Sequence, residues 1–128
     1  MIEGDKMKVE FDNSKPIYTQ LVDHLRLKIV SGEMPSGSKV DSVRSMAEEV
    51  EVNPNTMQRA LAELERLGLV YTQRTRGRFV TEDIEKINLI RKEIATLEIS
   101  NLRDILLKLG YSEDELIELI NQNLRRDI

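Results

Sequence analysis

A chain of 128 residues is sized for one domain, or one domain with a small appendage. It is 40% hydrophobic and 33% charged, apolar enough to fold around a core, and its net charge of −4, read globally, argues against a nucleic-acid partner. With no cysteine and one histidine, His24, it excludes disulfide scaffolds, thiol nucleophiles, thiolate zinc sites and most histidine-based catalysis.

Residues 1–14 read as a tail, with a short extended segment at Met7–Phe11 where apolar and polar residues alternate. Met1 to Glu10 is polar and acidic, without the apolar run of a secretory signal. No stretch reaches the ~18 apolar residues of a membrane span, so a cytoplasmic protein with no membrane partner is expected. From Pro16 the pattern turns helical. Ile17, Leu21, Leu25 and Ile29 recur every four residues, Pro16 suits the first turn, and Gly32 ends the helix. A loop through Met34-Pro35-Ser36-Gly37-Ser38 leads to a short second helix, capped by Ser42, with Val43, Met46, Ala47 and Val50 inside. Glu51-Val52 is a tight break. Asn53 then caps a third helix, with Pro54 at its first position and Met57, Ala60, Leu61, Leu64 and Leu67 as its buried stripe; Gly68 closes it.

Two β-rich runs, from Leu69 to Thr72 and from Arg78 to Val80, flank a Gly-containing turn and read as a hairpin. A long helix follows from Ile84 to about Leu109, ~39 Å at 1.5 Å per residue. Its stripe changes phase near Ser100-Asn101, where a bend or change of packing partner is expected. Gly110 stops it, and Ser112 with Glu115 forms a capping box that opens a last helix with Leu116, Ile117, Ile120 and Leu124 inside. The fold class is mainly α (α+β): a winged helix-turn-helix over residues 15–80, after the tail of 1–14, and a two-helix appendage over 81–128.

Charge is not spread evenly. Residues 52–80 carry five arginines against Glu63 and Glu65, and three of them stand together in Arg74-Thr75-Arg76-Gly77-Arg78. A local basic patch meets phosphate even on an acidic chain. Opposite the apolar stripe of the third helix lie Asn55, Arg59, Ala62 and Arg66, with Gln58 beside them. Asn, Gln and Arg pair bidentately with adenine or guanine edges, and a small alanine lets the helix backbone approach. Any amphipathic helix has a polar outer face, and an arginine-rich turn alone is often only solvated; here helix and hairpin occur together. His24 has neither ligand type at i−4 (Gln20) nor at i+4 (Lys28) and reads as a packing histidine. No carboxylate dyad, calcium loop, phosphate-binding glycine loop or Ser-His-Asp set occurs, so no catalytic residue, metal site or cofactor is expected.

Several motifs stand in order: Pro16-Ile17-Tyr18 with Gln20-Leu21, Gly32 and Gly37, Ser42-Val43-Arg44, Val52-Asn53-Pro54-Asn55-Thr56, Arg59-Ala60-Leu61, Leu64, Gly68-Leu69-Val70 and Gly77-Arg78-Phe79-Val80. Together they resemble the DNA-binding domain of GntR-family transcription regulators, over about residues 15–80. The short C-terminal pair of helices resembles the YtrA-type branch, whose effector-side domain is the smallest of the family. The resemblance implies a backbone-phosphate contact at Arg44, DNA-facing positions at Asn55, Thr56 and Arg59, and a wing-tip glycine at Gly77. Gln58 stands where other branches often place arginine, Asp41 where proline usually precedes the capping serine, and Thr75 where the wing often has its first glycine.

A homodimeric repressor on double-stranded, palindromic operator DNA is therefore expected, with Arg44, Asn55, Thr56, Gln58, Arg59, Arg74, Arg76, Gly77 and Arg78 at the DNA. The alternative is a winged-helix module that binds protein without specific DNA binding. Ile87, Ile90, Ile94, Leu97, Leu102 and Leu109 step along the long helix as an apolar seam, which a soluble monomer rarely leaves bare. They are expected to form the dimer contact. A small-molecule effector is left open as a partner. Two helices do not enclose a cavity of the usual ~300–1,000 Å³, so no deep effector pocket is expected within one subunit.

Overall fold

The structure, a computed structural model, describes residues 10–125. Most of the segment expected at Met7–Phe11 lies outside the described residues. The elements are α1 (Ile17–Val30), α2 (Val43–Val50), α3 (Pro54–Arg66), β1 (Val70–Gln73), β2 (Gly77–Val80), α4 (Ile84–Lys108) and α5 (Glu113–Arg125). They fall into two compact units that divide after Arg91. The observed order is the winged helix-turn-helix and two-helix appendage expected from the patterning.

In the first unit the helices pack by their apolar stripes. Leu21, Leu25 and Ile29 of α1 meet a core shared with Met46 and Ala47 of α2 and Met57, Ala60, Leu61 and Leu64 of α3, all buried. Pro16 is the N-cap residue of α1 rather than part of its first turn: its ψ of 130° is extended, and the helix starts at Ile17. In place of a side-chain cap, the Gln20 amide is wedged against Asp12, accepting from its N–H at 2.7 Å and donating to its carbonyl at 2.8 Å. The break between α2 and α3 is made by Glu51 in the left-handed region, at φ 57°.

β1 and β2 pair antiparallel with Val70 opposite Val80 and Gln73 opposite Gly77. A third rung was not read in the sequence. Lys39 bridges Phe79, Val40 N–H donates to the Arg78 carbonyl at 2.9 Å, and Val80 N–H donates to the Ser38 carbonyl at 2.9 Å. The loop before α2 thus clamps the outer edge of β2 and fixes the wing to the body. At the tip, Thr75 has φ 69° and Gly77 φ 103°. A β-branched residue in the left-handed region is strained, so this turn is held at a cost. The tip is fastened below by Arg76 N–H donating to the Gln73 carbonyl at 3.1 Å.

The first two turns of α4 belong to the first unit. Ile87 is buried there, and Lys86 lies so close over Gly68 that a Cβ at that position would collide with its ammonium. α4 runs as an unbroken helix through Ser100 and Asn101. In the second unit the capping box of α5 is closed in both directions: Ser112 N–H donates to Glu115 Oε1 at 2.9 Å and Glu115 N–H donates to Ser112 Oγ at 3.2 Å. The backbone N–H and the hydroxyl of Ser112 hold the Glu115 carboxyl below its ordinary pKa. Leu116 is the buried residue of α5, while Ile117 and Leu124, expected on its inner side, stand exposed.

Candidate nucleic-acid interface

The first turn of α3 is locked by its sequence. Asn53 Oδ1 accepts from Asn55 N–H at 2.7 Å, and Pro54 occupies the first helical position with its φ already set. Burial of Met57, Ala60, Leu61 and Leu64 turns the opposite face outward, so Asn55, Gln58, Arg59, Ala62 and Arg66 are exposed and Thr56 is half-buried. On α2, Ser42 Oγ accepts from Ser45 N–H at 3.1 Å, the expected cap, and Arg44 stands exposed in the first turn.

The arginines of this surface are not equivalent. Arg66 is taken up along its own helix by Glu63, whose oxygens accept from Nε and from the terminal nitrogen. That bond holds the Glu63 carboxyl below its ordinary pKa and raises Arg66. Arg78, expected at the DNA, is half-buried, and its Nε donates to Glu65 Oε1 at 3.1 Å. The same oxygen accepts from Thr72 Oγ1 at 2.9 Å. Glu65 of α3 thereby ties both strands of the wing to the third helix, and Arg78 contributes its Nε to that tie. Arg74 and Arg76 are exposed at the turn, with the Arg76 guanidinium 5.9 Å from the Phe79 ring centre. Phe79 in turn stacks on Tyr71 at 5.9 Å, giving the wing a small aromatic base.

Lys39 was missed in the sequence. Its side chain runs along Gly77, where a Cβ would stand 3.2 Å from Lys39 Cε, and it is exposed. Nothing local marks it, because its place beside the wing follows from the third rung. Lys39, Asp41, Ser42, Thr72, Gly77 and Arg78 line a groove of about 740 Å³ between the wing and the start of α2. Arg44, Asn55, Thr56, Gln58, Arg59, Arg74, Arg76 and Gly77 all lie in the first unit, on α2, α3 and the wing.

The seam residues separate. Ile87 is buried in the first unit, so it is already covered by its own chain; Ile90 and Ile94 are half-buried. Leu97, Leu102 and Leu109 are 60%, 44% and 68% exposed. Beside them, Ile99, Leu102, Leu116, Ile117, Ile120 and Leu124 line an apolar hollow of about 420 Å³ that is not closed over, edged by the Arg103–Glu113 ion pair at 3.5 Å. Among the described residues no group of three His, Cys, Asp or Glu side chains could hold a metal ion, and no helix is long and apolar enough to cross a membrane. His24 is half-buried, with Nε2 lacking a hydrogen-bond partner among the described residues; burial, followed by Lys28, holds its pKa down.

Residues 17–80, from the first residue of α1 to the last of β2, match the bacterial regulatory proteins of the gntR family. The chain is 37% identical to the HTH-type transcriptional regulator YhcF of Bacillus subtilis over 112 residues, covering 88% of this chain and 93% of that protein. It is 31% identical to the HTH-type transcriptional repressor YtrA of the same organism, covering 88% and 85%. Its structure is similar to that of a GntR family transcriptional regulator from Listeria monocytogenes, with a TM-score of 0.81 and 40% identity over 88% of this chain and 98% of the other. These relatives are regulators of transcription, not enzymes.

Proposed function

Because the chain belongs to the gntR family of bacterial regulatory proteins, we propose that it is a homodimeric repressor of the YtrA-type branch acting on a palindromic operator. The observation that carries this reading is the outer face of α3. Its start is rigidly capped, it presents Asn55, Gln58 and Arg59 together, and it is flanked by a wing with exposed Arg74 and Arg76. Asn, Gln and Arg read base edges in the major groove, while Arg44, Lys39 and the two wing arginines neutralise phosphates. Thr56 and Gly77 offer little bulk where backbone approaches backbone. Arg78 acts indirectly, by holding the wing to α3 through Glu65.

Branch and sign rest on the similarity to the repressor YtrA, which extends well past the winged domain. Residues 15–80 carry DNA binding and 81–128 carry pairing of subunits, with the first turns of α4 built into the binding unit. Ile90, Ile94, Leu97, Leu102 and Leu109, with the neighbouring hollow, form the face that a second copy covers. An effector, where one acts, is of unassigned chemistry.

The test is selection from random duplexes with the intact chain, followed by titration in rising salt. A palindrome with half-site centres ~34–36 Å apart, or a multiple of that, is the expected result. Its affinity should fall with a log–log salt slope of about −0.9 per phosphate neutralised. A chain that enriches no duplex, or binds without salt dependence, is a protein-binding module and not an operator-binding repressor.

A further inference from the structure

The arginines around α3 are engaged in two chemically different ways. Arg66 and Arg78 give N–H donors to carboxylates, Glu63 and Glu65. Arg59 instead lies over the ring of Tyr18, its guanidinium carbon 4.0 Å from the ring centre. Tyr18 is the second residue of α1, half-buried, and reaches Arg59 because α1 and α3 pack their apolar stripes together.

The difference matters for recognition. A guanidinium is planar, and its five N–H groups point outward in that plane. A carboxylate partner consumes this donor edge, whereas an aromatic ring beneath it occupies only the face. Among the described residues no acceptor engages the donors of Arg59. A free arginine on a helix surface samples many rotamers and loses that freedom on binding. One stacked on a ring has already lost much of it, while its fork stays open to guanine O6 and N7.

We infer that Tyr18, on α1 and outside the recognition helix, is a positioning residue for base readout, holding Arg59 by its face so that its donor edge is presented to a guanine. This rests on the operator-binding reading above. It sets a division of labour: Glu65 fixes where the wing stands, Tyr18 fixes where the reading arginine points, and neither needs to touch a base.

The experiment measures the intact chain on its selected duplex, on that duplex with the Arg59 base pair replaced, and on random duplex. Exposed cation–π contacts correspond to about two- to fivefold per half-site, hence about four- to twenty-five-fold on a palindrome bound by two copies. Tyr18→Leu is expected to lose that factor on the selected duplex and under twofold on random duplex, and Tyr18→Phe to stay within about twofold of the parent. The double variant with Arg59→Ala should bind no worse than Arg59→Ala alone, because the ring has nothing left to hold. Independent, multiplying losses in the double variant, or equal loss on all duplexes, would overturn the inference. Should Tyr18→Leu fail to fold, a series of increasingly fluorinated phenylalanines at position 18 keeps the shape and weakens the ring's negative face. Affinity for the selected duplex should fall along the series, and a flat series overturns the inference. If the parent chain prefers no duplex at all, the operator-binding reading fails; if it selects a site that Tyr18→Leu leaves untouched, only the role of Tyr18 fails.

Discussion

Leu21, Leu61, Leu64 and Leu69 in the first unit are fully buried, while Leu97, Ile99, Leu109 and Leu124 in the second are 60–75% exposed. Both sets sit on helices or beside them. In the first unit three helices and a hairpin close on one another, so the apolar stripes of α1 and α3 find partners within the chain. In the second, α5 has 13 residues against 25 in the whole of α4 and covers little of it; Leu116 is its buried residue. Moving such a side chain from water into an apolar contact gains about 1.5–3 kcal/mol. The first unit therefore buries its core within the chain, and the second leaves the apolar face that we propose a second copy covers. The proposed division of labour between reading DNA and pairing subunits rests on that contrast.

The sharpest way to break it is truncation. Because Ile87 is buried in the first unit, the chain must be cut after Arg91 and not after Asp83. The 1–91 fragment should fold, sediment as a monomer, and bind the palindrome at least about 100-fold more weakly, through loss of the effective concentration that linkage provides. A fragment that still dimerises would place pairing in the wrong unit. Next in size is Arg59→Ala, expected to cost about 1–3 kcal/mol on the selected site and clearly less on random duplex in gel-shift titrations. Equal losses would make Arg59 a phosphate contact.

The wing gives a smaller and more discriminating pair. Arg76→Ala should flatten the log–log salt slope by about one unit. Arg78→Ala, whose guanidinium is held by Glu65, should leave the slope nearly unchanged and weaken binding by loosening the wing. Identical slopes for the two variants would mean that Arg78 leaves Glu65 on the DNA. The smallest effect is on acid stability. Burial favours the neutral form of His24 in the folded chain, with Lys28 adding to it and Glu33 and Glu49 opposing. Its contribution is then complete above the ordinary value of 6.5 and is lost as pH falls below it. Urea midpoints measured from pH 7 to about pH 5 should decline less in His24→Leu than in the parent; a parallel decline would assign the acid sensitivity elsewhere.

What the sequence made legible was local chemistry. Asn53 before Pro54, Ser42, and the Ser112–Glu115 box each act within a single turn, and each cap was found where its residues stand. The apolar stripes of α1 and α3 and the hairpin are equally local. The boundary at Pro16 slipped by one residue because a proline φ near −60° suits both the cap and the first turn, and only ψ decides. What could not be read was set by packing. The Glu65 tie to Arg78 and Thr72, the ring of Tyr18 under Arg59, and Lys39 beside Gly77 all join residues that local spacing does not connect. Ile87 shows the same limit within the long stripe: its spacing is that of the seam, but the packed body of the first unit claims it.

Sedimentation velocity of the intact chain at micromolar concentration, alone and on its selected duplex, tests the central claim most directly. The account predicts a dimer in both states and two chains on each palindrome. A monomer in solution, or a single chain saturating the duplex, would contradict it.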